Sequence, residues 1–346
     1  MIRSLLLVAA LGLLATVARA AQPAQDSDFE AQVADYIQKF PYQDTYNYAA
    51  KATGGDPAKL NTWAMSLTPT LVKAGEDIVV RTNNDTYYQA AAVLLDDGPV
   101  VLTSDAQSGD RFSSFQLIDD RNVNFHNVIN PDGAYTLYFG EQPEGVKGEP
   151  IESPSRLAIV LVRVEVKDKD DPADTDVAKA IFNGITIDGP SVAEFPELDL
   201  LSGFSDDVRE AAEARIDEAI ATNEFRDLVP EPGDVPDTVS YLQLAAGTKS
   251  GWGGPASSHS AYDMTFLDAD GDEMHGENGV YTLTTEAPAV EAFWSVTVYD
   301  TDRGGFFHPN SDDRYHINNT TAVPNDDGTY TFVFATDCTG QGKNCI

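Results

Sequence analysis

Residues Arg156–Val166 form an almost unbroken apolar run of Leu, Ile, Val and Ala. β-Branched residues favour the pleated, packed surface of a sheet. A strand that does not alternate polar with apolar must be covered on both faces. The run therefore predicts a central strand, and a central strand demands neighbours in its sheet and a layer on either side. Shorter β-type segments supply them at 78–82, 86–95, 99–104, 111–118 and 134–139. Turn clusters separate several of these, among them Asp96-Asp97-Gly98-Pro99, Ser108-Gly109-Asp110 and Pro131-Asp132-Gly133.

Helical spacing governs two other stretches. Phe29, Val33, Tyr36, Ile37 and Phe40 recur at helical intervals, so a helix is expected over Asp28–Phe40, ended by Pro41. Asp207 can cap a second helix reaching Phe225, with Glu210 three residues on. A short helix is expected at 176–183, and residues 188–204 and 230–236 read as Pro- and Gly-punctuated connections. β-Type segments then resume at 239–246, 260–267, 279–285, 291–300 and 329–335. The expected fold is mainly β with accessory helices (α+β): two antiparallel sandwich-like β domains joined by a helical linker region. The boundaries are a leader at 1–20, a helical segment at 21–69, β domains at 70–190 and 239–346, and the linker and helix at 191–238.

The leader carries a short basic start, an apolar stretch from Ser4 to Val17, and small residues at Ala18 and Ala20. This is the pattern of a secretory signal cut after Ala20, giving a secreted or periplasmic protein. No later segment has a long charge-free apolar run, so no stable membrane insertion is expected after cleavage. Asp and Glu number 56 against 22 Lys and Arg, a net charge of −34. That balance repels nucleic acid and suits a surface kept soluble in salt-rich water. An oxidising compartment permits a disulfide between Cys338 and Cys345, the two cysteines of the chain. Closing so short a loop contributes on the order of 2–3 kcal/mol. Two thiolates with no nearby histidine lack the remaining ligands zinc requires, so no metal or other cofactor is expected.

The candidate site rests on alternation. If 78–87 is one strand, Arg81, Asn83, Asp85 and Tyr87 share a face. Such a row is costly in an apolar setting unless each group meets a partner or a ligand. It reads either as the wall of a ligand pocket or as a polar network joining two layers. Arg111 and Asp119 join it as candidate binding groups, and Trp252 and Trp294 as flat aromatic surfaces. Asp268, Asp270 and Asp272 resemble the start of a calcium loop, but Glu273 and Gly279 stand where that loop needs Gly and Glu, so a hairpin turn is expected.

Two sets of motifs carry a family resemblance. Val79-Val80-Arg81-Thr82-Asn83-Asn84-Asp85-Thr86-Tyr87, Gly109-Asp110-Arg111-Phe112 and Gln116-Leu117-Ile118-Asp119 resemble the domain of unknown function 1254. Gly251-Trp252-Gly253-Gly254, Tyr281-Thr282-Leu283, Phe293–Asp300 and Asp327-Gly328-Thr329 resemble the domain of unknown function 1214. The resemblance implies two β-rich domains and a tendency to oligomerise, with no established reaction. Such chains usually continue past Asn344-Cys345-Ile346 into a further strand, so either more chain or an open edge on the last sheet is expected. Three functions follow. The first is a binding protein for a small polar or carbohydrate-like ligand. The second is a hydrolase or lyase with Asp85 or Asp119 as general base, favoured if those carboxyls flank one cleft. The third is a structural homo-oligomer without a ligand.

Overall fold

The structure, a computed structural model, describes residues 24–76, 81–105, 108–222, 229 and 241–346. The proposed leader and the 230–236 connection lie outside the described residues. Among the described residues the protein is mainly β, with mostly antiparallel sheets, one parallel strand pair and four α-helices. Among the described residues no helix is long and apolar enough to cross a membrane.

The N-terminal β domain contains β1 (Thr86–Leu94), β2 (Val100–Ser104), β3 (Ser113–Asp119), β4 (Asn124–Ile129), β5 (Gly133–Phe139), β6 (Glu149–Ser153), β7 (Leu157–Glu165) and β8 (Ile185–Asp188). One sheet has the order β1-β7-β3-β4 and the other β6-β5-β2-β8. The apolar run is β7, a central strand antiparallel to β1 and β3. Ala158, Val160, Val162 and Val164 on its inner face pack with Phe115, Leu117, Leu102 and Leu137 between the sheets. Helix α2 (Pro172–Asn183), capped by Asp171, closes this core with Ala178, Ile181 and Phe182.

One end of the outer face of the first sheet is covered by helices. Helix α1 (Ala24–Thr53), α3 (Asp206–Ala221) and α4 (Tyr241–Gly251) pack together through Val33, Ile37, Val208, Ile216 and Ala245. The far end of α1 then lays Tyr46 and Ala49 on Leu94, Ile118 and Ile159.

Pro41 does not end α1; it lies inside the helix. The lost hydrogen bond is outweighed because the turns before and after it are each buried against a different core. The segment expected as a strand at 239–246 is helix α4 from Tyr241 onward. Its Leu and Ala residues are good helix formers, and Leu244, Ala245 and Ala246 find a buried helical face.

The C-terminal domain carries its β structure as two ribbons. Strand β9 (Tyr281–Thr285) pairs with β12 (Tyr330–Phe334), and β10 (Ser295–Thr297) with β11 (His316–Asn318). The expected strand 291–300 thus contributes only three residues to a ladder. Within 260–267, only Leu267 forms a bridge, to Glu273 across the Asp268 turn. The edge of β12 is met by residues 344–346: Val333 N–H donates to Asn344 O, and Ala335 N–H to Ile346 O. Cys338 and Cys345 are joined as a disulfide beside it.

Candidate functional site

Among the described residues, 81–85 before β1 do not form a strand. Residues 77–80 lie outside the described residues, Arg81 takes a left-handed φ of 54°, and the ladder begins only at Thr86. Asn83 explains this locally. Its Oδ1 accepts from Asp85 N–H at 2.7 Å and from Thr86 Oγ1 at 3.3 Å, so a side chain satisfies backbone that a strand would have offered to a neighbour.

The four side chains of the expected row consequently diverge. Tyr87 enters the sandwich core, edge-on to Phe182. Arg81 donates to Ser250 O at 2.8 Å, and its backbone N–H donates to Gly305 O. Asp85 is fully buried at the seam between the two β domains. Its Oδ1 accepts from His316 Nε2 at 2.9 Å and Asn318 Nδ2 at 3.1 Å, and its Oδ2 from Asn83 at 3.3 Å. The other ring nitrogen of His316 faces Asn84 Oδ1 at 3.1 Å. This is a satisfied network that ties the domains together.

Arg111 and Asp119 are also engaged. Arg111 pairs with Asp174 in the first turn of α2 and donates to Glu165 O. Asp119 accepts from Arg121 Nε at 2.9 Å and from the N–H groups of Arg121 and Val123, shaping the β3–β4 turn. Burial raises the Asp119 carboxyl above its ordinary range, against the pull of Arg121. Asp85 precedes Thr86, which pairs with Glu165, whereas Asp119 pairs with Ala158. Seven residues of β7, roughly 23 Å, separate those positions. The two carboxyls do not flank one cleft. Trp294 packs edge-on against Tyr330 and Phe332. Trp252 stacks on Tyr48 with ring centroids 3.7 Å apart.

Unpaired polar atoms mark a different place. Nine buried side-chain polar atoms have no hydrogen-bond partner among the described residues, and five belong to Arg163, Ser114, Gln116, Asn127 and Trp252. The register explains the proximity of the first four. Arg163 of β7 lies opposite Ser114 of β3, and two residues along, Gln116 of β3 lies opposite Asn127 of β4. All four share the outer face of the first sheet. The helices cover that face at its Ile118–Ile159 end. Towards the Arg163 end, Phe112 meets Phe293 of the C-terminal domain at 5.7 Å.

The loop after α4 reaches this face. Gln116 Nε2 donates to Gly253 O at 2.8 Å, Gly253 N–H donates to Asn122 Oδ1, and Asn122 also holds Thr248. Gly253 takes a φ of 73°, which a side chain would strain. Arg163 lies over the Phe112 ring at 5.6 Å, beside Tyr88, whose hydroxyl pKa burial raises. Two shallow hollows of about 480 and 270 Å³ open elsewhere, near Gly276–Val280 and Leu95–Pro99. None of the nine unpaired atoms lines them, so the polar chemistry favours the sheet face.

Sequence reasoning flagged Trp252 and missed Arg163, Ser114, Gln116 and Asn127. A signal existed: Arg163 interrupts the apolar run, and Ser114 and Gln116 place polar groups two apart on a strand buried throughout.

Comparison with known proteins adds the family and the fold. No curated protein matches the chain. The crystal structure of the VPA0106 protein from Vibrio parahaemolyticus is similar in fold, with a TM-score of 0.71 at 17% identity over 92% of this chain and 91% of that one. An uncharacterized protein from Burkholderia cenocepacia aligns over 92% of this chain and 88% of its own at 16% identity, with a TM-score of 0.43. Residues 62–189 match the family model described as protein of unknown function (DUF1254), and residues 259–346 the one described as protein of unknown function (DUF1214). The chain therefore pairs a DUF1254 domain with a DUF1214 domain, in that order.

Proposed function

We propose that this is an exported binding protein whose small polar ligand lies on the outer face of the β1-β7-β3-β4 sheet, where the helices, the Trp252 loop and the C-terminal domain converge. The observation that carries the reading is the cluster of unpaired buried atoms on Arg163, Ser114, Gln116 and Asn127. A fold meets nearly all of its buried hydrogen-bonding demand, so unmet demand gathered at adjacent register positions is what a ligand would satisfy. The leader and the Cys338–Cys345 disulfide support export.

The test exploits the cost of an orphaned hydroxyl. Ser114 is fully buried and its Oγ has no partner. Ser114→Ala should therefore stabilise the ligand-free protein by about 1 kcal/mol, read as a raised Tm. A lowered Tm would mean that the hydroxyl serves the fold, against the binding reading.

A second reading concerns partners. Tyr262, Met264 and Phe266 alternate along one segment and are 64%, 62% and 50% exposed. An apolar strip of this kind favours a homo-oligomer through the C-terminal domain. Sedimentation velocity should show an assembly that Met264→Ser loosens; a monomer at all concentrations removes this reading.

A further inference from the structure

Resting on the pocket reading above, we propose that the ligand is a small organic anion that also carries a hydrogen-bond donor, such as a hydroxy- or amino-carboxylate. Its carboxylate would meet Arg163 and Ser114, and its donor would face Gln116 and Asn127.

Acidic side chains outnumber basic ones by more than two to one, 56 to 22, yet among the described residues none pairs with Arg163. The arginine is half-buried and its Nε is enclosed without an acceptor. A guanidinium in that setting offers planar, parallel donors that match a carboxylate. Ser114 stands opposite in register with a free hydroxyl that can also donate.

The next row has the opposite polarity. Gln116 gives its NH₂ to Gly253 O at 2.8 Å, so its Oε1 is left empty. Reversing the amide would set oxygen against oxygen. Asn127 is fixed by the same logic one step removed. Asn124 donates its NH₂ to Leu117 O and His126 O, so its Oδ1 must accept, and Asn127 Nδ2 donates to it at 2.7 Å. The empty atom of Asn127 is therefore Oδ1. Donors occupy one row and acceptors the next, two residues or roughly 7 Å along the strands.

That polarity selects among ligands. A neutral sugar leaves the guanidinium without its counter-charge. A metal or organic cation meets Arg163 repulsively. Sulfate satisfies the first row but presents only acceptor oxygens to the two carbonyls of the second. A molecule with a carboxylate at one end and a hydroxyl or ammonium at the other fits both.

The experiment titrates the mature protein with lactate and with its neutral isostere lactamide. The readouts are Tm and the NMR signal of the Arg163 Nε–H in arginine-labelled protein. Lactate should raise Tm and move the Arg163 signal, and lactamide should bind about tenfold or more weakly. Arg163→Gln should abolish the preference and Arg163→Lys should keep part of it. Should the Gln variant not fold, the wild-type Arg163 signal and the Lys variant still decide. Equal responses to lactate and lactamide leave the pocket standing and overturn the anion inference. If lactate moves nothing while Ser114→Ala still stabilises, the anion inference alone falls. If lactate moves nothing and Ser114→Ala destabilises, the pocket reading falls with it.

Discussion

Strand β7 keeps seven of its nine residues buried, whereas β9 in the C-terminal domain keeps none of its five. The first lies in a sheet that packs against a second sheet on one face and under a helical layer on the other. The second lies in a two-stranded ribbon, and two-stranded ribbons are marginal without something to pack on. The C-terminal domain holds together around a smaller set: Phe307, Tyr315, Ile317, Phe332 and Cys345 are its buried large or disulfide-bonded groups. Tyr299, Phe307 and Tyr315 stack in a column, and the Tyr299 hydroxyl reaches the backbone oxygens of Arg81 and Thr82. The N-terminal domain is thus stabilised by its own interior, and the C-terminal domain leans on the seam.

Removing the interior should have the largest effect. Phe115 is fully buried in the sandwich and meets Tyr135 edge-on. Phe115→Ala should cost about 3–5 kcal/mol, and denaturant unfolding should show both domains lost together. Loss of the N-terminal domain alone, with the C-terminal domain intact, would break the comparison.

The seam comes next. Asp85→Asn removes the charge that His316 and Asn318 address. A cost of about 1.5–3 kcal/mol is expected, confined to the C-terminal domain. Hydrogen exchange should quicken in β9–β12 and leave β7 unchanged. Uniform quickening would mean that the two domains share one stability.

The smallest effect sharpens the account of the helical layer. Burial, reinforced by Glu213, raises the Asp44 pKa to about 6. The fold therefore binds this proton more tightly than the unfolded chain. Its contribution is complete below the unfolded pKa of about 4 and lost as pH rises through 6. Asp44→Asn should stabilise by about 1–2 kcal/mol at pH 8 and by little at pH 4. Thermal melts at the two pH values check the sign.

The contrast also explains what the sequence could reveal. β7 was legible because double-sided burial leaves an uninterrupted apolar run. The start of β1 was not, because Asn83 satisfies backbone groups locally and breaks the alternation that Arg81, Asp85 and Tyr87 would need. Residues 260–267 alternate like a strand yet find no continuous partner strand among the described residues. The candidate site was legible only in part. Trp252 stood out among glycines, but Arg163, Ser114, Gln116 and Asn127 come from three strands, and only the register brings them into two rows.

The sheet face between those rows is where the account is most exposed. A high-resolution crystal structure of the protein purified from exporting cells tests it most directly. Non-water density is expected spanning Arg163 and Ser114 on one side and Gln116 and Asn127 on the other. Side chains paired with each other there, or bridged by ordered water alone, would contradict it.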